Sequence, residues 1–143
     1  MLTVAGWQFW ALLAAVFAAA TAIFAKVATD TIDPDLATLV RTAVVFVVLA
    51  ALLLVSGKLN GLAGITPKAA VFLVLSGLAT GASWLCYFRA LKLGNASQVA
   101  PIDKLSVVLV AVFAALFLGE RLSAGGWTGV ALIAAGAILV ARS

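Results

Sequence analysis

Residues 35–55 read DLATLVRTAVVFVVLAALLLV, an apolar run interrupted after Asp35 by a single charge, Arg41. At 1.5 Å per residue a helix of about 20 residues covers the roughly 30 Å hydrocarbon core of a bilayer, so this stretch predicts a membrane-spanning helix. A window of about 19 residues carried outward in both directions finds four more, over residues 7–25, 69–91, 98–118 and 126–141, the last being short. All five are expected to be helices. An open strand in lipid leaves its backbone groups unpaired, and the alternation of an outer-membrane barrel is absent. The fold class is therefore an all-α integral membrane protein of five transmembrane helices, one domain over residues 1–143, multi-pass in the cell (inner) membrane.

Composition agrees with that reading. Hydrophobic residues make up 66% of the chain, charged residues 10%, and the mean hydropathy is +1.27, against soluble averages of about 45 to 50% apolar and about 25% charged. The net charge of +4 is dispersed and without a basic run, which suits loop ends beside anionic head groups and argues against nucleic acid. One cysteine, Cys86, and no histidine leave neither an internal disulfide nor a Cys/His metal site. No nucleophile and base arrangement suggests an enzyme, and no cofactor is implied.

The links between spans carry their own signals. Trp7 and Trp10 stand where an interfacial aromatic belt lies, and no Lys or Arg precedes the first span, so a retained helix is expected rather than a cleaved signal peptide. A polar link over residues 29–35 ends in Asp33-Pro34-Asp35, which caps and starts the second span. Residues 57–66 form a loop with Asn60-Gly61, and Pro67 opens the third span. Lys92, Gly94, Asn95 and Ser97 mark a turn, and Gly119-Glu120-Arg121 ends the fourth span, with Glu120 expected to cap or to pair with Arg121.

Sorting basic residues by side gives a weak bias. Lys58, Lys68 and Arg121 fall on the side of the N-terminus, and Lys26, Lys92 and Arg142, with Arg89 nearby, fall opposite. Arg41 and Lys104 join the second group if they snorkel, favouring an external N-terminus. A weak bias is what a chain inserted in both orientations needs, and two antiparallel copies would reproduce the inverted-repeat plan of many transporters. A single orientation with loose charge statistics fits the same numbers.

Polar residues inside spans are the candidate site, because a charge at membrane depth costs about 2.5 to 3.5 kcal/mol even on the lenient insertion scale. Arg41, Asp103 and Lys104 qualify. Thr38, Arg41 and Thr42 share one helical face, as do Asp103 and Ser106, whereas Lys104 lies about 100° around from Asp103 and is poorly placed to pair with it. Two readings stand. Asp103 pairs with Arg41 across helices while Lys104 snorkels, holding the bundle together; or the surplus positive charge faces a watery cavity and recognises a carboxylate or other anionic group, with Asp103 balancing the site. Pro101 either bends the fourth helix and frees a carbonyl or lies harmlessly in its first turn. Trp84 and Tyr87, with Ser83 beside them, suit a cavity wall or plain packing. Gly77 and Gly81 form one GxxxG and Gly125 and Gly129 another, followed by Gly136; such faces serve helix packing or a dimer.

Residues 111–122, AVFAALFLGERL, followed by Gly129 and Leu132-Ile133-Ala134-Ala135-Gly136, resemble the end of an EamA-type repeat of the drug/metabolite transporter superfamily. In that family an apolar helix ends in FLGE and a basic residue, and a glycine-containing last helix follows. Residues 83–92 and 96–101 are similar to its third helix and entry to the fourth. The resemblance covers the chain as one five-helix repeat, where most members fuse two in opposite orientation. It implies a polytopic transporter of small metabolites with a cavity lined mainly by the first, third and fourth helices.

One departure stands out. Related small multidrug resistance proteins use a first-helix glutamate for proton and cationic drug, but residues 7–25 contain no acid, leaving Asp103 as the deeply placed carboxylate for any proton coupling. The expectation is a carrier of a small solute such as an amino acid, acting by alternating access as an inverted homodimer in the lipid bilayer. A facilitative channel and a non-transporting membrane subunit remain as alternatives.

Overall fold

The computed structural model describes residues 6–143, so the first five residues of the expected domain lie outside the described part. The described residues are helical with no strand: α1 (Trp7–Thr31), α2 (Pro34–Val55), a 3-10 segment (Lys58–Gly64), α3 (Pro67–Leu93), α4 (Ala96–Asp103), α5 (Ser106–Phe113), a π-helical turn (Ala114–Leu118) and α6 (Ala124–Ala141). With α4, α5 and the π turn taken as one span, five helices among the described residues are long and apolar enough to cross a membrane, from 18 to 27 residues each. The shortest, α6, still reaches about 27 Å.

Side-chain exposure identifies the solvent these helices need. Phe46 is 71% exposed and Phe117 79%, while the buried hydrophobic set is confined to Ala22, Ala25, Ala37, Phe88, Leu91, Ala114 and Ala137. Apolar surface on that scale has no stable place in water and is matched by lipid tails.

Helix boundaries follow local chemistry. Asp33 caps α2 as expected, its Oδ1 accepting from the N–H groups of Asp35 (2.9 Å) and Leu36 (3.1 Å), with Pro34 at the tolerated first position. Asp33→Ala is expected to cost about 1 kcal/mol of stability, read as a lower thermal midpoint in detergent; an unchanged midpoint removes the cap from the account. Thr66 starts α3 by accepting from Ala69 N–H at 3.2 Å. Ser56 ends α2, and Gly57 turns the chain out with φ 67°, a left-handed conformation that suits glycine.

Three expectations are corrected. The first helix runs on to Thr31 through the intended polar link, because neither Gly nor Pro interrupts it and Thr29 is fully buried. The loop at residues 57–66 is largely 3-10 helix. The fourth span is broken: after α4 the hydrogen bonds tighten from the i−4 to the i−3 pattern, with Leu105 N–H donating to Ile102 O, Val107 to Lys104 O and Val108 to Leu105 O, each at 3.0 Å. The span also widens into the π turn before Gly119, φ 69°. There the backbone N–H of Glu120, not its carboxylate, closes the helix end onto Ala114 O at 3.1 Å.

The chain divides into two compact units, residues up to Lys26 together with Leu93–Ser143, and Val27–Lys92. In the first, α6 packs along α4 and α5. In the second, α2 and α3 are joined by side chains. Arg89 grips Asp35 through two bonds, Nε to Oδ1 at 2.9 Å and Nη2 to Oδ2 at 2.7 Å, and Lys92 Nζ donates to the Asp30 carbonyl at 3.2 Å. Both bonds of the pair are exposed, so it fixes alignment more than it adds stability.

Candidate functional site

The helix break and the α2–α3 pair hold the charged candidates. Pro101 lies inside α4 rather than in its first turn, and the break follows a few residues on. Pro101 has no N–H to offer the Ser97 carbonyl, which weakens the ladder just ahead of the interruption. Asp103 is the last residue of α4 and Lys104 its cap.

Lys104 Nζ stands 3.1 Å from Asp103 Oδ2, with side chains 56% and 34% exposed. The sequence argued against this pairing on helical geometry. The helix ends at Asp103, and the flexible lysine stem reaches back along the chain at the break. Ser106, expected to share a helical face with Asp103, begins α5 on the far side of the interruption. The outcome is an adjacent acid and base displayed where a spanning helix is discontinuous, the arrangement in which transporters bind solutes and ions.

In the second unit the expected polar face of α2 is reorganised. Thr38 is buried and its hydroxyl donates to Pro34 O at 2.8 Å, while Thr42 donates to Thr38 O at 2.7 Å. Both protons are thereby used within the helix. Arg41 does not wait for an acid. Its guanidinium carbon lies over the Trp84 ring, 4.0 Å from the centroid, and 5.5 Å from that of Phe88. Asp103 is engaged by Lys104 and Arg41 by aromatic faces, so the ion pair drawn between them in the structural reading is replaced by these two local arrangements.

Phe88, only 2% exposed, is a fixed floor for this cation–π contact. Sequence reading named Arg41 and Trp84 but missed Phe88, whose spacing of four residues after Trp84 on α3 was the available signal. Tyr87 meets Phe88 edge-on at 6.5 Å. Ser83 is exposed and joins neither cluster.

Between α2 and α3 lies an open cavity of about 450 Å³, walled by Thr42, Phe46 and Leu49 on one side and Leu73, Thr80 and Trp84 on the other. Gly77 and Gly81 also line it, and a Cβ built on either meets no atom within 4 Å. The same openness holds at Gly129 and Gly136, whereas Gly125 lies 3.8 Å from Ser123 Oγ. Close helix approach among the described residues is thus not what Gly77, Gly81, Gly129 and Gly136 serve.

Comparison with known proteins agrees with the architecture. The model of the EamA-like transporter family matches residues 5–142. A relative from Sinorhizobium sp, described as "Uncharacterized transporter in cobO 3'region", is 59% identical over 135 residues, which cover 94% of this chain and 96% of the relative. That relative is therefore also about one five-helix unit long. No solved structure matches. Five lipid-facing helices, a broken fourth span and a family match over nearly all residues lead to one conclusion: this chain belongs to the EamA-like transporter family and is a multi-pass membrane protein.

Proposed function

We propose that the protein is a secondary carrier of the cell inner membrane that moves small metabolites such as amino acids by alternating access, working as a homodimer of inverted copies. The observation that carries this reading is the exposed Asp103–Lys104 pair at the break in the fourth span. An amino acid brings its own carboxylate and ammonium. It can displace the internal partners one for one, carboxylate to Lys104 and ammonium to Asp103, so neither protein charge is left stranded.

The inverted pairing draws on three features. The sequence is one repeat long, and its relative is matched over 96% of its own length. The basic residues divide almost evenly between the two sides. The glycine faces of α3 and α6 have room for a close partner.

Reconstituted vesicles test the reading. Saturable uptake with counterflow of a preloaded amino acid is the expected result; non-saturating flux indicates a channel, and no flux across the amino-acid panel indicates a subunit without transport activity. Topology is read separately by labelling single cysteines at each end from both sides, after changing the exposed Cys86 to Ser. Inverted copies label both ends from both sides, and a one-sided pattern eliminates the inverted dimer.

A further inference from the structure

The α2–α3 cavity is set apart from the Asp103–Lys104 pair by its chemistry: one cation, no acid and apolar walls. Among the described residues no carboxylate lies within ion-pair reach of Arg41. Asp35 is occupied by Arg89, Asp103 by Lys104, and Arg41 itself is held on Trp84 and Phe88. A guanidinium presents five N–H donors in one plane, and resting it on a ring leaves edge donors available for a planar bidentate acceptor.

The walls specify the rest of the ligand. Thr42 and Thr80 direct their hydroxyl protons to Thr38 O and Ser76 O, at 2.7 and 2.8 Å. Phe46, Leu49 and Leu73 supply hydrocarbon, and Gly77 and Gly81 leave the space unfilled. From Thr42 to Leu49 the wall runs about 10 Å along α2. Arg41 and Trp84 stand at the Thr42 end. The volume of about 450 Å³ falls within the usual span of small-molecule sites, about 300 to 1,000 Å³.

We infer that this cavity is a binding site for a small amphipathic monocarboxylate, its carboxylate on the Arg41 guanidinium and its hydrocarbon or aromatic body along Phe46, Leu49 and Leu73. The inference rests on the carrier reading only for its purpose, supplying the class of anion that the protein recognises. Recognition here needs no ammonium group, which separates it chemically from the zwitterion exchange at Asp103 and Lys104.

The test is direct binding to the full chain in neutral detergent. A variant keeping Trp84 and changing Trp7, Trp10 and Trp127 to Phe reports through its one remaining indole. Hexanoate and phenylacetate are expected to shift its emission and raise the thermal midpoint, acetate weakly, and hexanamide and hexylammonium not at all. Arg41→Gln should weaken hexanoate binding about tenfold or more, since a charge-assisted pair is lost, and Arg41→Lys should restore part of it. Gly81→Leu keeps the cation but fills the open space, and should abolish binding without unfolding the chain.

Equal response to hexanamide, or hexanoate binding indifferent to both Arg41→Gln and Gly81→Leu, overturns the inference. Stabilisation by phosphatidylglycerol alone overturns it in favour of a lipid site. Loss of dimer in Gly81→Leu with no carboxylate binding in the parent overturns it in favour of contact with a second copy. Failed binding beside intact amino-acid counterflow sinks this site and spares the carrier. Binding without any flux does the reverse.

Discussion

Lys104→Ala is expected to reduce amino-acid counterflow at least about tenfold while the protein is made and inserted normally, because the solute carboxylate loses a charged partner. The single variant alone is ambiguous, since it also strands Asp103 at the helix break. Adding Asp103→Asn removes that stranded charge. If the pair serves only to hold the break together, the neutral double variant recovers transport along with stability. If the pair receives the solute, stability recovers and transport stays lost. Coupling of this kind between adjacent residues is what a double-mutant cycle isolates. Recovery of counterflow in the double variant, measured against thermal midpoints of all four proteins, refutes the binding role. Lys104→Arg retains the charge and is expected to keep partial activity.

How much of this was legible in residues alone differs between fold and site. The five spans were plain because lipid imposes length and apolarity on every helix independently of its neighbours. Asp33 as a cap and Pro34 and Pro67 as helix starts were equally local, and they hold. The extension of α1 to Thr31 was missed because Lys26, Thr29 and Asp30 look like a loop in hydropathy, although nothing among them stops a helix. Arg41 and Trp84 were each named, but their stacking depends on how α2 and α3 approach, which no spacing within one helix encodes. The Asp35–Arg89 clasp had a signal: opposite charges near helix ends on the same membrane side. It was passed over because Asp35 already had a role beside the cap. The Asp103–Lys104 contact was argued away by applying ideal helix geometry across the point where the helix stops. Pro101 had announced that point.

Pro101→Ala is expected to stabilise the protein and impair it. Alanine supplies the missing N–H to the Ser97 carbonyl and removes the ring clash, so α4 should gain about 1 to 2 kcal/mol, less than the roughly 3 kcal/mol cost of proline deep inside a continuous helix because the break lies close by. A firmer α4 resists the rearrangement between i−4 and i−3 bonding around Leu105 that the structure displays. If that flexible joint lets the Asp103–Lys104 pair turn from one side of the membrane to the other, maximal counterflow should fall on the order of tenfold, with half-saturation little changed. The combination of a higher thermal midpoint and a lower maximal rate is the signature of a strained element kept for movement. A raised midpoint with full transport makes Pro101 a tolerated flaw in the helix. A lowered midpoint shows instead that the break is the preferred conformation of this segment, and that proline is part of what holds Asp103 and Lys104 in place.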